Sequence, residues 1–239
     1  LRRQRQMCKR DGPVSAPAES AAKLGDGPAG IPQPVLVRGT GLLGASIGIG
    51  LSAAGVDVRL HDPSPAALAV AADIRAGRPA RLDAEGDDLD AAPGLVVVAA
   101  PPDVTADVVV DSLRRWPAAV VVDIASVKEA VAAGVRAAVD DGRLAPQDAD
   151  RYLGTHPMAG SERSGPVAAR GTLFTQAPWV LCPTDTTHPG ALAAGRALAL
   201  TLQATPYRMA ARAHDESVAL ISHLPQIAAS LVASRLQDT

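Results

Sequence analysis

The sequence predicts an α/β fold, a doubly wound parallel sheet with helices on both faces, and three observations carry that prediction. Short apolar runs recur at Val35–Val37, Leu95–Ala100 and Ala119–Asp123, and each gives way to a helical stretch. Their β-branched continuity, without polar alternation, is what strands buried on both faces require. Between the first run and the first helix lies Gly39-Thr-Gly41-Leu-Leu-Gly44, the glycine spacing of a Rossmann-type strand-to-helix turn.

Residues 1–33 are polar and rich in Gly, Pro, Ala and Ser, without periodicity. They bury too little apolar surface to offset ordering entropy and are expected to be disordered. Residues 34–209 are expected to form the dinucleotide-binding domain. Val35–Val37 is its first strand, Gly41–Ala54 its first helix, Val56–Leu60 its second strand and Pro65–Ala76 its second helix. Leu95–Ala100 is a buried strand stopped by Pro101-Pro102, and a helix follows over Asp103–Arg115. Ala119–Asp123 is a further strand and Val127–Val139 a further helix. Then come Arg151–Thr155, the apolar run Trp179–Cys182, a helix near Ala191–Leu202, and Pro206–Met209.

From Ala210 to Leu236 a long helix is expected, with Val218, Ile221, Leu224, Ala228, Leu231 and Val232 at helical spacing. Such a stripe needs a facing helix, supplied either by a second chain or by further residues. Residues 210–239 therefore read as the start of another domain.

Composition narrows the function. Apolar residues make up 47% of 239 residues, enough for a sizeable core, but aromatics are only 2%, so Ala, Val, Leu and Ile must fill it. A net charge of −2 makes no electrostatic case for nucleic acid or membrane binding. No apolar run approaches the roughly 18–20 residues of a membrane span. Cys8 lies in a polar tail and Cys182 in an apolar run, so both are expected to be reduced, in a cytoplasmic protein. No metal is expected.

In the glycine loop, Gly39 permits the tight turn, Gly41 leaves room for a pyrophosphate, and Gly44 lets helix and strand approach closely. Backbone N–H groups of Leu42, Leu43 and Gly44 at the helix start then face the phosphates. Asp62 closes the second strand at the position that hydrogen-bonds an adenosine ribose, and its charge repels a 2′-phosphate. NAD is the cofactor expected. A turn-forming Asp before Pro63-Ser-Pro65 is the other reading of Asp62. Ala99-Ala-Pro101-Pro, ending the next strand, suits either the cofactor cleft or plain packing.

Asp123-Ile-Ala-Ser126-Val-Lys128 follows a buried strand, at the sheet end where ligands bind. Ser126 and Lys128 are expected to reach the cleft. An ordinary helix N-cap remains open for Ser126, and a solvated side chain for Lys128. His156 follows Arg151–Thr155, with Pro157 fixing the turn and Gly160, Ser161 and Glu162 crowding a ligand loop. A neutral imidazole there suits a base that takes an alcohol proton, with an ordinary pKa of about 6.5. His188 reads as a loop residue. His214 is placed to point at the cleft, and His223 either answers the helix break at Pro225 or touches substrate.

These residues resemble the prephenate dehydrogenase family, arogenate-using members included. The match runs from about Val35 to Leu236 and includes the glycine loop with Asp62 and Val122-Asp-Ile-Ala-Ser-Val-Lys128. It extends through Gly154-Thr-His-Pro-Met-Ala-Gly-Ser-Glu-Arg-Ser-Gly165, Ala177-Pro-Trp-Val-Leu-Cys-Pro183 and His214-Asp-Glu-Ser-Val-Ala-Leu-Ile-Ser-His-Leu-Pro225. The resemblance implies NAD-dependent oxidative decarboxylation of prephenate to 4-hydroxyphenylpyruvate in tyrosine biosynthesis, or the parallel reaction on arogenate. A dinucleotide-binding protein without catalysis is the alternative. By position it gives His156 the proton-accepting role and Ser126 the orienting one. Ser161 and Glu162 would line the substrate entrance, and His214 would help bind substrate; Lys128, expected at the cleft from its place after the strand, is counted with them as substrate-binding. It also implies an all-helical, dimerising C-terminal domain whose further helices carry a carboxylate-binding arginine. Gln226 stands where the family often has a second histidine.

Overall fold

A computed structural model describes residues 22–23, 30–83 and 86–220. Cys8, His223, Gln226 and the helix expected beyond residue 220 lie outside the described residues.

Strand β1 is the pair Ala22–Lys23. Strand β2 (Val35–Arg38) leads through the glycine turn into helix α1 (Leu42–Ala53). Strand β3 (Val58–His61) and helix α2 (Pro65–Asp73) follow. Ser64 caps α2, its hydroxyl accepting from Ala67 N at 3.2 Å, and Pro65 supplies the preset φ of a first helical position. Three two-residue strands come next: β4 (Arg78–Pro79), β5 (Leu82–Asp83) and β6 (Gly86–Asp87). Then come β7 (Leu95–Val98), α3 (Pro102–Arg115), β8 (Val120–Asp123) and α4 (Glu129–Asp140). A short α5 (Pro146–Ala149) precedes β9 (Tyr152–Pro157). A 3-10 turn at Pro166–Ala168 precedes β10 (Pro178–Cys182), and α6 (Pro189–Thr201), β11 (Thr205–Arg208) and α7 (Ala211–Val218) complete the order.

The main sheet runs β1-β11-β10-β9-β8-β7-β2-β3-β4. From β4 to β9 every pairing is parallel. The expected parallel sheet then changes direction: β10 runs antiparallel to β9, and β11 lies parallel to β10. Ala22 and Lys23, within the segment expected to be disordered, pair antiparallel with Arg208 and Tyr207. Ile31 from the same segment packs against the core.

Alternation along the central strands fills both faces. Val35, Val37, Leu95, Val97 and Val122 face a cluster that takes in Ala45 and Ile47 of α1 and Leu198 of α6. Leu36, Val96, Val98 and Val121 face the opposite cluster, closed by Val109 and Leu113 of α3 and Val131 and Val135 of α4. Ala and Gly let the helices sit close. Few aromatics are needed, and Phe174 and Trp179 pack together with ring centroids 5.2 Å apart.

One polar cluster is sealed within this core. Asp123 is wholly buried and Lys128 is 1% exposed. The Lys128 ammonium pairs with Asp123 Oδ1 and donates to Thr155 O at 2.6 Å. Tyr152 donates its hydroxyl proton to Asp123 Oδ2 at 2.7 Å, and Ala125 N donates to Oδ1 at 2.8 Å. Burial, with the Asp123 charge beside it, pushes the Tyr152 phenol well above its ordinary pKa. The expectation that Lys128 reaches the cleft is therefore corrected. Its stem turns back beneath the turn, because a buried carboxylate one strand-end away is the stronger partner.

Lys128→Met leaves Asp123 buried without its counter-charge and should cost about 3–5 kcal/mol of unfolding free energy. Removing both charges in D123N/K128M should recover part of that loss. Urea denaturation measures both, and a Lys128→Met protein as stable as the parent would refute a structural role for the ammonium.

Candidate active site

The parallel strands deliver their carboxyl ends to one cleft of about 870 Å³. Its walls carry the glycine loop at one side and Ser126, His156 and Ser161 at the other. The reversal of strand order between β2 and β7 opens the crevice where such sheets bind nucleotides.

The loop has the shape a dinucleotide needs. Gly39 has φ +108°, and a Cβ there would meet Ala99 O at 2.4 Å. A Cβ on Gly44 would meet Gly39 O at 2.0 Å, so α1 starts pressed against the loop. At Gly41 a Cβ would meet nothing within 4 Å: that position faces open space. Among the described residues no acidic side chain occupies the first turn of α1 and none caps it, the arrangement a helix N-terminus needs to receive an anion. Leu42, Leu43 and Pro101 line the same wall.

Asp62 lies on the cleft at the end of β3 and is fixed in place. Oδ2 accepts from Thr40 N at 2.6 Å and Thr40 Oγ1 at 2.9 Å, and Oδ1 accepts from Ser64 N at 2.8 Å. The bond to Ser64 N makes the Asx turn before α2, and the same carboxylate stands fixed on the wall of the cleft. The residues present thus fit a dinucleotide whose ribose hydroxyls donate to a carboxylate.

At the other end, Ile124, Ala125 and Ser126 form the turn after β8. Ser126 is not an N-cap. Helix α4 begins at Glu129, and the carboxylate of Asp215 caps it, accepting from Lys128 N at 2.8 Å and Glu129 N at 2.9 Å. Ser126 lines the cleft instead.

His156, in β9, lines the cleft with Ser126. Its Nδ1 lies 2.9 Å from His214 Nε2, and His214 Nδ1 lies 2.7 Å from Asp215 Oδ1. His214 is 1% exposed and does not line the cleft, so its expected contact with substrate is corrected: it stands behind His156. Burial holds its pKa below the ordinary histidine value, against the opposing pull of Asp215. Burial also raises Asp215, but hydrogen bonds from Glu129 N, His214 and Lys128 N outweigh it and keep the carboxyl below its usual range.

Ser161 lines the cleft, whereas Glu162 is exposed and absent from its wall. Ser161 Oγ donates to Glu162 Oε2 at 3.3 Å. Arg163, Arg38 and His61 line the cleft without having been singled out for it. Arg163 sits within the motif that held Ser161, and a cation among small residues was the signal available. Burial, the largest influence on His61, lowers its pKa. Cys182 is buried, and that burial pushes its thiol up to about 12, so it is no nucleophile. His188 caps α6, its Nδ1 accepting from Gly190 N at 3.0 Å.

Residues 49–205 match the family model described as prephenate dehydrogenase, nucleotide-binding domain. The chain is 38% identical over 203 residues to a Streptomyces niveus protein described as probable prephenate dehydrogenase NovF, covering 85% of this chain and 52% of that protein. It thus spans about half the length of that curated relative. Among solved structures, a Synechocystis arogenate dehydrogenase is similar at TM-score 0.67 and 27% identity, over 84% of this chain and 68% of that one. A prephenate dehydrogenase from A. aeolicus in complex with hydroxyphenyl propionate and NAD+ shares the fold at TM-score 0.72 and 21% identity, over 86% and 69% of the two chains.

Two glycine substitutions should separate folding from nucleotide binding. Gly41 has φ −64°, open to any residue, so Gly41→Val should melt like the parent yet lose dinucleotide binding in a fluorescence titration. Gly39→Ala should unfold at lower temperature, because its Cβ meets backbone. Parental dinucleotide affinity in Gly41→Val would show that phosphates do not approach there.

Proposed function

The chain belongs to the prephenate dehydrogenase family, and we propose that it oxidises prephenate with loss of CO2, using NAD, to give 4-hydroxyphenylpyruvate. The observation that carries this reading is that His156 and the glycine loop line a single cleft. Bound there, NAD supplies the hydride acceptor. Gly41, the α1 N-terminus and Asp62 would hold it, and the Asp62 charge disfavours a 2′-phosphate.

The chain's own contribution is positional. His156, a neutral imidazole in the cleft, takes the proton of the substrate's ring hydroxyl as the carbinol carbon is oxidised. Ser126 orients that hydroxyl towards the imidazole. The resulting ring ketone is conjugated to a quaternary carbon bearing a carboxylate, so that carboxylate leaves as CO2 and the ring becomes aromatic. Aromatisation makes the step irreversible and needs no further catalytic group. Ser161 stands at the entrance. Glu162 is proposed to act only on the rim, through Ser161.

Arogenate is the second reading, favoured by the likeness to the Synechocystis enzyme. The two substrates differ only in a keto or amino group on the side chain, remote from the reacting carbinol. We further propose a cytoplasmic enzyme of tyrosine biosynthesis that pairs into a homodimer through the region beyond residue 210. Among the described residues no helix is long and apolar enough to cross a membrane.

NADH formation, followed by absorbance with prephenate and with arogenate, tests the assignment. Turnover should appear with prephenate and decline on acidification, since a protonated imidazole cannot accept the hydroxyl proton. His156→Asn should lower kcat by about 10²–10⁴-fold while leaving NAD affinity unchanged. NAD binding without turnover on either substrate would leave a dinucleotide-binding protein and refute the enzyme.

A further inference from the structure

A neutral imidazole can serve as a base at only one of its two nitrogens, and something must decide which. Here the decision begins at Asp215. Its carboxylate accepts three hydrogen bonds, from Lys128 N at 2.8 Å, Glu129 N at 2.9 Å and His214 Nδ1 at 2.7 Å. An ionised carboxylate only accepts, so His214 Nδ1 carries a proton. A neutral imidazole has one N–H, which leaves His214 Nε2 as a lone pair. That atom lies 2.9 Å from His156 Nδ1, with the rings edge to face at 78° and their centroids 5.1 Å apart. His156 Nδ1 must then be the donor, and the lone pair of His156 falls on Nε2.

We propose that Asp215 and His214 are positioning residues that lock His156 in its Nδ1–H tautomer, making Nε2 the atom that receives the substrate proton. The inference rests on the reading of His156 as the base and adds the residues that prepare it. In the step itself the substrate O–H bond breaks and an N–H bond forms at Nε2. The imidazolium keeps donating from Nδ1 to His214, and the Asp215 charge lies one ring further on. A carboxylate that orients and steadies a histidine base through hydrogen bonding is a known device for a single imidazole; here a second imidazole extends its reach.

The chain of bonds requires His214 to stay neutral. Among the described residues the charged groups that act on it are Asp215, Lys128 and Asp123, and burial outweighs the attraction of the carboxylates. Because its folded pKa lies below the unfolded value of about 6.5, its contribution to stability is present above that pH. That contribution is lost as pH falls through the folded pKa. Asp215 also has a plain structural duty as the cap of α4, so the test must read something a cap would not move.

Nitrogen-15 NMR of histidine-labelled full chain gives that reading, with His156 assigned by its absence in His156→Asn. At pH 8 the parent should show His156 and His214 both protonated at Nδ1. His214→Leu removes the acceptor, and the Nε2–H form of His156 should appear. His214→Gln offers a side-chain carbonyl in place of Nε2 and should restore the Nδ1–H form. Turnover should follow: His214→Leu lowers kcat by about 10²-fold or more with KM and NAD affinity little changed, and His214→Gln recovers most of it. If His214→Leu proves too unstable, the parent spectrum and His214→Gln still decide. His156 protonated at Nε2 in the parent, or a tautomer indifferent to both substitutions, would overturn the proposal. The expected tautomers with no NADH formed would instead sink the dehydrogenase reading and leave the relay standing.

Discussion

The buried carboxylate of Asp123 is the interaction on which the site is built. It ends β8, and its two oxygens gather the ammonium of Lys128, the hydroxyl of Tyr152 and the amide of Ala125. Its backbone carbonyl takes the hydroxyl of Thr155 at 2.7 Å. One residue thereby joins the end of β8, the turn that carries Ser126 and the strand that carries His156. Ser126 lies three residues beyond Asp123 and His156 one residue beyond Thr155. Both cleft groups are therefore set by a network whose side chains, those of Asp123, Lys128, Tyr152 and Thr155, are buried and lie outside the cleft wall. Low local dielectric makes such a network costly if any member is missing, and the same cost makes it rigid when complete.

A second carboxylate, Asp215, works in a different register. It is less deeply placed and is held by two amides at the start of α4 as well as by His214. The N-terminal end of α4 favours negative charge, which steadies the ionised form. The two acids divide the labour: Asp123 fixes where the backbone of the site lies, and Asp215 fixes how hydrogens are arranged behind His156.

Much of this was legible in the sequence, and the pattern of what was not is physical. That the glycine loop, Asp62, Pro101 and His156 line one cleft was readable, because strand, turn and helix specify their position within a few residues of chain. Directions of long side chains were not. Lys128 read as a cleft residue from its place after a strand, but a four-carbon stem can turn either way, and the deciding partner is Asp123 beneath it. His214 likewise had the right neighbourhood and the wrong duty, since its contact with His156 spans 58 residues of sequence. Glu162 sits in the right loop with its carboxylate outside. The reversal at β10 was hidden for another reason: an apolar run such as Trp179–Cys182 has the same pattern in either direction.

The boundary expected after residue 209 also takes on meaning from these contacts. Met209 N donates to Leu181 O at 3.0 Å, so the chain leaves the sheet still bonded to β10. Within the next nine residues His214 and Val218 are buried, and Asp215 is bonded to the start of α4. A flexible hinge would leave such groups solvated. Instead α7 is fastened to the nucleotide-binding body at the back of the candidate base, so whatever shifts this helix also shifts the acceptor behind His156. Coupling between the helix and the imidazole needs no long pathway: it is one hydrogen bond.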